Sequence, residues 1–179
     1  MASVVSKQSL NPYYLVHPNC LGDLPKVDKP DEFDSVVIGD AVDGFSYKNL
    51  NKAFQLIMKG CPFYALGKGK FYQEDGELTL DVGPFTAALE FATEKSAIVV
   101  GKPSKDFFQA ALDDMKVSPE EAVMVGDDIV SDVGGAQSCG ITGVLVRTGK
   151  YRPTNENHPT VKPDKIVDNL KEIVEFLNA

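Results

Sequence analysis

Ala122-Val123-Met124-Val125-Gly126-Asp127-Asp128, with Asp132 four residues further on, is an apolar run that ends in a glycine and a cluster of carboxylates. Val123 to Val125 read as a buried strand of a parallel sheet, covered on both faces. Asp127 and Asp128 are then expected at its carboxyl end, where open α/β sheets hold their ligands. Neighbouring carboxylates repel each other, and a hard cation with oxygen ligands such as Mg²⁺ is the usual way to neutralise them. The same residues also suit a solvated turn in which Asp132 only caps the next helix.

The flanking sequence repeats the strand-then-helix texture. Ala97 to Val100 predict a strand, Ser104 to Met115 a helix, Ser131 to Cys139 a helix, and Gly143 to Val146 and Lys165 to Val167 further strands. Leu170, Ile173, Val174 and Leu177 keep helical spacing to the end. Such alternation means a parallel sheet with covering helices. Ser118-Pro119-Glu120-Glu121 resembles a capping sequence but precedes a strand, so one helical turn or a loop is expected.

Toward the amino end, Tyr13 to Val16 and Ser35 to Ile38 predict strands, joined by a connection rich in Pro, Asp and Lys. Ser46 is an N-cap candidate for a helix with apolar positions Leu50, Ala53, Phe54, Ile57 and Met58. Pro62 to Leu66 predict a strand, Phe71-Tyr72 and Leu78 to Leu80 a hairpin about Asp75-Gly76, and Pro84 to Ala92 a helix. The fold class expected is α/β in two parts, with a soft boundary near Thr93 to Ser96: residues 1–95 and 96–179.

Apolar residues make up 43% of the 179, enough for a core, and the formal charge is −8. With a pI near 4.7 there is no basic surplus to meet phosphates in bulk. That argues against nucleic acid or an anionic membrane as partner, while a small phosphorylated molecule needs only one cation and one lysine. No apolar run is long enough for a membrane span or a signal peptide, so a cytoplasmic location is expected. Cys20, Cys61 and Cys139 lie far apart without metal-ligand spacing and read as buried, reduced thiols.

Lys102 follows the run Ile98-Val99-Val100-Gly101, which puts an ammonium at the mouth of the same kind of sheet. A lysine beside an acidic pair can hold a phosphate oxygen, although a surface lysine in a turn is the plainer reading. Two successive crossover units would bring Lys102 and Asp127 together. His17 and His158 lack nucleophile partners, Gly67-Lys68-Gly69-Lys70 is too short for a phosphate loop, and Phe107-Phe108 suit a core. Arg147-Thr148-Gly149-Lys150 follows a strand and reads as a surface loop near the pocket side.

Gly101 to Phe108, Met124 to Ala136 and Gly140 to Lys150 resemble the haloacid dehalogenase (HAD) superfamily of phosphatases. Within it they are similar to the subgroup of phospholysine phosphohistidine inorganic pyrophosphate phosphatase and its hydrolase-domain relatives. Val36 to Gly39 with Phe45-Ser46-Tyr47 and Leu50 to Phe54, then Gly83-Pro84-Phe85 with Ala88 to Ala92, look like that subgroup's C2-type α/β cap. The resemblance implies a cap over residues 1–95 and the C-terminal part of a Rossmann-like core over 96–179. It implies Lys102 as the catalytic lysine that steadies nucleophile and phosphoryl group, Asp127 as a Mg²⁺ ligand, and Asp128 and Asp132 as outer carboxylates that orient the metal's surroundings. A small phosphorylated substrate, an aspartyl-phosphate intermediate and a homo-oligomer formed through the cap belong to the same expectation.

The departure from the family pattern is at the nucleophile. Members begin with a strand ending in Asp-x-Asp-Gly-Thr/Ser, and here no segment matches; Asp40-Ala41-Val42-Asp43-Gly44 has its aspartates three apart and falls within the cap match. The family's Ser/Thr strand that binds the phosphoryl group is also unmatched. The expectation is a chain inactive alone, with the strand of Asp127 left at a sheet edge. A second reading is a non-enzymatic splice form or fragment that acts as a binding or oligomerisation module. A receiver-like phosphoacceptor domain would place acidic pair and lysine in the opposite order.

Overall fold

The computed structural model describes the backbone of residues 1–177 and side chains through Val174. In chain order the regular elements are α1 (Ala2–Gln8), β1 (Pro12–Leu15), β2 (Ser35–Ile38), α2 (Tyr47–Met58), β3 (Phe63–Ala65), β4 (Phe71–Glu74), β5 (Glu77–Leu80), α3 (Val82–Thr93) and β6 (Ile98–Val99). They continue with α4 (Lys105–Met115), β7 (Val123–Gly126), α5 (Gly135–Gln137), β8 (Thr142–Val146), β9 (Lys165–Val167) and α6 (Leu170–Leu177). This is the α/β alternation expected from the sequence. The chain divides into two compact units, one of Met1–Lys70 with Leu80–Gly101, the other of Phe71–Thr79 with residues from Lys102 onward.

In the first unit a four-stranded sheet runs in the order β1-β2-β3-β6, every pair parallel. β2 and β3 have strand neighbours on both sides, and in β2 Val36, Val37 and Ile38 are fully buried, which is why it reads as an unbroken apolar run. Ala53 and Ile57 of α2 and Leu89 of α3 close one face over Val36, Ile38 and Phe63. Both helices begin on side-chain caps: Ser46 Oγ accepts the Asn49 N–H at 3.3 Å, and Asp81 Oδ1 accepts the Val82 N–H at 2.6 Å. α3 therefore starts two residues before Pro84.

The other face is covered by α1, which the sequence analysis did not anticipate. Val5 is buried, and Met1, Val4 and Leu10 pack on the cluster of Val16, Val37 and Tyr64. A helix of seven residues is too short to announce itself by periodicity and holds only through such packing.

In the second unit the sheet order is β7-β8-β9, again parallel, with Val144 and Leu145 fully buried at its centre. Phe108 and Leu112 of α4 pack against Ala136 and Ile141. Phe107 was expected in the core with Phe108, but it is exposed and meets its neighbour edge to face. The β4-β5 hairpin forms as read from Asp75-Gly76. Ser118 to Glu121 make one tight turn, with Glu121 Oε2 accepting the Ser118 N–H at 2.9 Å.

Three further expectations need correction. Ile98–Val99 was grouped with the strands that follow, yet it pairs with Tyr64 and Ala65 in the first sheet. An apolar run announces a strand but not its sheet; here Glu90 Oε1 accepts the Ala97 N–H at 2.8 Å and Val100 donates to the Ala65 carbonyl at 2.9 Å, which fixes the placement. The helix expected from Ser131 begins earlier, as a widened turn over Ile129–Gly134 in which Val133 N–H reaches back to the Asp128 carbonyl. Cys20 is exposed and Cys61 and Cys139 are half-buried, so none is the buried thiol expected, though all three are free. Leu177, assigned to the apolar face of α6, lies outside the described side chains. No helix among the described residues is long and apolar enough to cross a membrane.

Candidate active site

The carboxyl end of β7 and the two segments that meet it build the site, all within the second unit. β7 ends at Gly126, where a Cβ would lie 2.3 Å from the Asp132 carboxylate, so only glycine lets Asp132 fold back against the strand end. The widened turn that follows starts on Asp128, whose Oδ1 accepts the N–H groups of Val130 at 3.0 Å and Ser131 at 2.8 Å. The Asp128 N–H in turn donates to Asp132 Oδ2 at 3.2 Å. Asp132 is thus more than a helix cap: it is buried and ties the turn together.

Two lysines neutralise this cluster. Lys102 Nζ lies 2.7 Å from Asp132 Oδ1. Lys150 Nζ lies 3.3 Å from Asp128 Oδ2, and its backbone N–H donates to Asp127 Oδ2 at 2.9 Å. Burial pushes the Asp128 carboxyl up, but the Ser131 and Val130 N–H groups and the Lys150 charge outweigh it and hold the group below its ordinary value. Lys102, Asp127, Asp128 and Asp132 therefore share one chain of contacts. The route differs from the one expected, because Lys102 follows a strand of the first sheet and does not leave a crossover of the sheet that carries Asp127.

Lys150 and Gly149 are the residues that sequence reasoning left in a surface loop. The available signal was positional: Thr148-Gly149-Lys150 follows β8, which pairs directly with β7 in the register Gly126 to Leu145, so the two strand ends deliver adjacent loops. Arg147 behaves as a surface group, bonded to Glu156 at 2.7 Å and Asp168 at 2.6 Å.

A Mg²⁺ ion fits this arrangement only through Asp127. Both oxygens of Asp128 and both of Asp132 are engaged by backbone N–H groups and lysines. Among the described residues no three His, Cys, Asp or Glu side chains converge on a cation position. Asp127 Oδ2 accepts the Lys150 N–H, and Oδ1 has no hydrogen-bond donor among the described residues. One carboxylate suits Mg²⁺, which keeps most of its waters and takes remaining oxygens from phosphate.

The other candidates are structural. His17 Nδ1 accepts the Asn19 N–H at 3.1 Å and His158 Nδ1 the Val161 N–H at 3.2 Å, each closing a turn. Asp40 Oδ1 accepts the Val42 N–H at 3.1 Å, and Lys68 pairs with Glu90 at 2.7 Å.

A family model described as HAD-hydrolase-like matches residues 99–173. Phospholysine phosphohistidine inorganic pyrophosphate phosphatase of Xenopus laevis is 49% identical over 178 residues, covering 98% of this chain and 66% of that protein. Haloacid dehalogenase-like hydrolase domain-containing protein 2 of Rattus norvegicus is 41% identical over 175 residues, covering 98% of this chain and 67% of its own length. The chain thus spans just under two thirds of the first of these relatives. Among solved structures, 4-nitrophenylphosphatase from Thermotoga maritima superposes with a TM-score of 0.84 at 26% identity, over 97% of this chain and 69% of that one. Glycerol phosphate phosphatase from Mycobacterium tuberculosis, in complex with magnesium, shares the fold with a TM-score of 0.79 at 23% identity, over 96% and 55%.

Proposed function

The chain belongs to the HAD-like hydrolase family, and from that premise we propose that its 179 residues carry the cation-holding and charge-neutralising part of a Mg²⁺-dependent phosphatase site for small phosphorylated molecules. The observation that carries this reading is the anchoring of Lys102 by the buried Asp132 beside Asp127.

In this reading Lys102 is the catalytic lysine. Asp132 takes one of its donors and orients the ammonium, leaving others for a phosphoryl oxygen. Asp127 would hold the cation through Oδ1, and bound Mg²⁺ would draw charge from the phosphoryl group. Asp128 holds the turn that aims Asp127, and Asp132 holds both the turn and Lys102. We assign the first unit, which takes in β6 beyond the boundary expected at residue 95, to the cap that selects the leaving group, and the residues from Lys102 onward to the core.

The attacking group is a separate matter. No two aspartates in the 179 residues stand two positions apart, so the family's Asp-x-Asp pattern for forming the aspartyl-phosphate is not among them. We therefore expect this polypeptide by itself to hydrolyse 4-nitrophenyl phosphate with Mg²⁺ no faster than the blank. Adding a polypeptide that supplies a strand ending in Asp-x-Asp-Gly-Thr/Ser should raise turnover, and Asp127→Ala should remove the gain. Robust turnover by the 179 residues alone, lost in Asp127→Ala, would show that another residue supplies the nucleophile.

One observation favours a second reading, a strand-pairing module without catalysis. Among the described residues β7 has a strand neighbour on one side only, and Val123 at its start is 36% exposed. Such an edge is a template for another strand. The same mixing experiment separates the two readings, since pairing without chemistry gives association but no turnover.

A further inference from the structure

We propose that Gly149 and Lys150 form a positioning element that limits Asp127 to one-oxygen contact with its cation, and that this contact favours Mg²⁺ over Ca²⁺. The inference rests on the reading of Asp127 as the cation ligand and goes beyond it, because it assigns a task to the loop after β8.

The geometry is specific. The Lys150 N–H donates to Asp127 Oδ2 at 2.9 Å, so that oxygen already has a fixed donor, while Oδ1 has none among the described residues. The loop reaches the carboxylate because residue 149 has no side chain: a Cβ there would stand 2.0 Å from Asp127 Oδ2, and its φ of +53° is a conformation that side chains disfavour. The Lys150 ammonium anchors the same loop from its other side, 3.3 Å from Asp128 Oδ2, where Lys150 is 21% and Asp128 16% exposed. A bidentate grip on a cation would need Asp127 Oδ2 to give up its N–H donor.

Cation chemistry turns this into selectivity. Mg²⁺ requires a compact octahedron and takes single oxygens from carboxylates. Ca²⁺ has more ligands at longer distances and gains from carboxylates that bind through both oxygens. A carboxylate with one oxygen held by a backbone amide penalises the larger ion.

The test is calorimetric titration of the 179-residue chain with MgCl₂ and, separately, CaCl₂, reading the ratio of the two dissociation constants. Gly149→Ala should displace the loop, free Asp127 Oδ2 and move the ratio toward Ca²⁺ by about tenfold or more, in keeping with the loss seen when groups that orient metal ligands are removed. Lys150→Met keeps the backbone N–H and should shift both constants together, leaving the ratio within about twofold. An unchanged ratio in Gly149→Ala, or a ratio moved as far in Lys150→Met as in Gly149→Ala, would overturn the positioning role while leaving Asp127 as a ligand. Binding of neither ion by the parent chain would remove the ligand itself, and the inference with it. Should Gly149→Ala fail to fold, the parent chain still decides: the Lys150 amide should stay protected from hydrogen exchange on saturation with Mg²⁺, and its release would overturn the proposal.

Discussion

Lys102 and Asp132 form an ion pair of unequal exposure: Nζ lies 2.7 Å from Oδ1, while the lysine side chain is 41% and the aspartate 5% exposed. The buried partner does several jobs at once. Asp132 also accepts the Asp128 N–H and packs against the Cα of Gly126, so it joins the strand end, the turn and the lysine.

The two partners should therefore respond differently to removal. Asp132→Ala takes away the acceptor of a half-buried N–H as well as the ion pair and should destabilise the chain by about 2–3 kcal/mol. Lys102→Met leaves a buried carboxylate still bonded to one N–H, and since the lysine is in part solvated its removal should cost only about 1–2 kcal/mol. Urea midpoints at neutral pH measure both. The reverse order would mean that the lysine, and not the turn, is the centre of the arrangement.

α1 offers a test of the first unit. Val5 is 2% exposed and is the buried residue of a seven-residue helix whose hold on the sheet includes a 2.9 Å hydrogen bond from Tyr64 Oη to Gln8 Oε1. Val5→Ala should lower stability by about 1–3 kcal/mol, the range for deleting buried methyl groups. It should also expose Lys7 to trypsin sooner than in the parent chain. Unchanged proteolysis with unchanged stability would mean that α1 is not docked in solution.

β7 gives an aggregation test. Its outer edge has no strand neighbour among the described residues, and Val123 is exposed there. Placing a charge on such an edge discourages pairing without disturbing a core. Val123→Lys should raise the soluble fraction after heating while shifting the urea midpoint by less than about 0.5 kcal/mol equivalent, as surface changes do. No gain in solubility would show that the edge is covered in solution.

Much of this architecture was legible because burial in parallel sheets writes itself as apolar runs: Val36 to Ile38 and Val144 to Val146 are strands for that reason. The grouping of Asp127, Asp128 and Asp132 was legible too, since a strand end followed by a turn confines seven consecutive residues to one place. What was not legible depends on contacts distant in sequence. Ile98–Val99 reads as a strand in any sheet, and Glu90 and Ala65 decide which. Lys150 looks like a solvated loop lysine until β8 is placed beside β7, when a residue 23 positions away becomes the donor to Asp127.

Acid should probe the site through Asp128. Its folded-state carboxyl is held below the ordinary value: burial opposes this, but the N–H groups of Ser131 and Val130 and the Lys150 charge favour the ionised form more strongly. A group whose pKa is lower folded than unfolded contributes stability that is complete above the unfolded value, about 4 for aspartate, and is lost as pH falls through the folded value. Asp128→Asn retains an oxygen able to cap Val130 and Ser131 but removes the charge that meets Lys150. Urea midpoints of the two proteins should therefore differ most at neutral pH, with the parent more stable, and converge below about pH 4 as the carboxylate takes up its proton. A gap that persists unchanged into acid would mean that shape, and not charge, makes Asp128 useful, and that Lys150 is held by something other than this carboxylate.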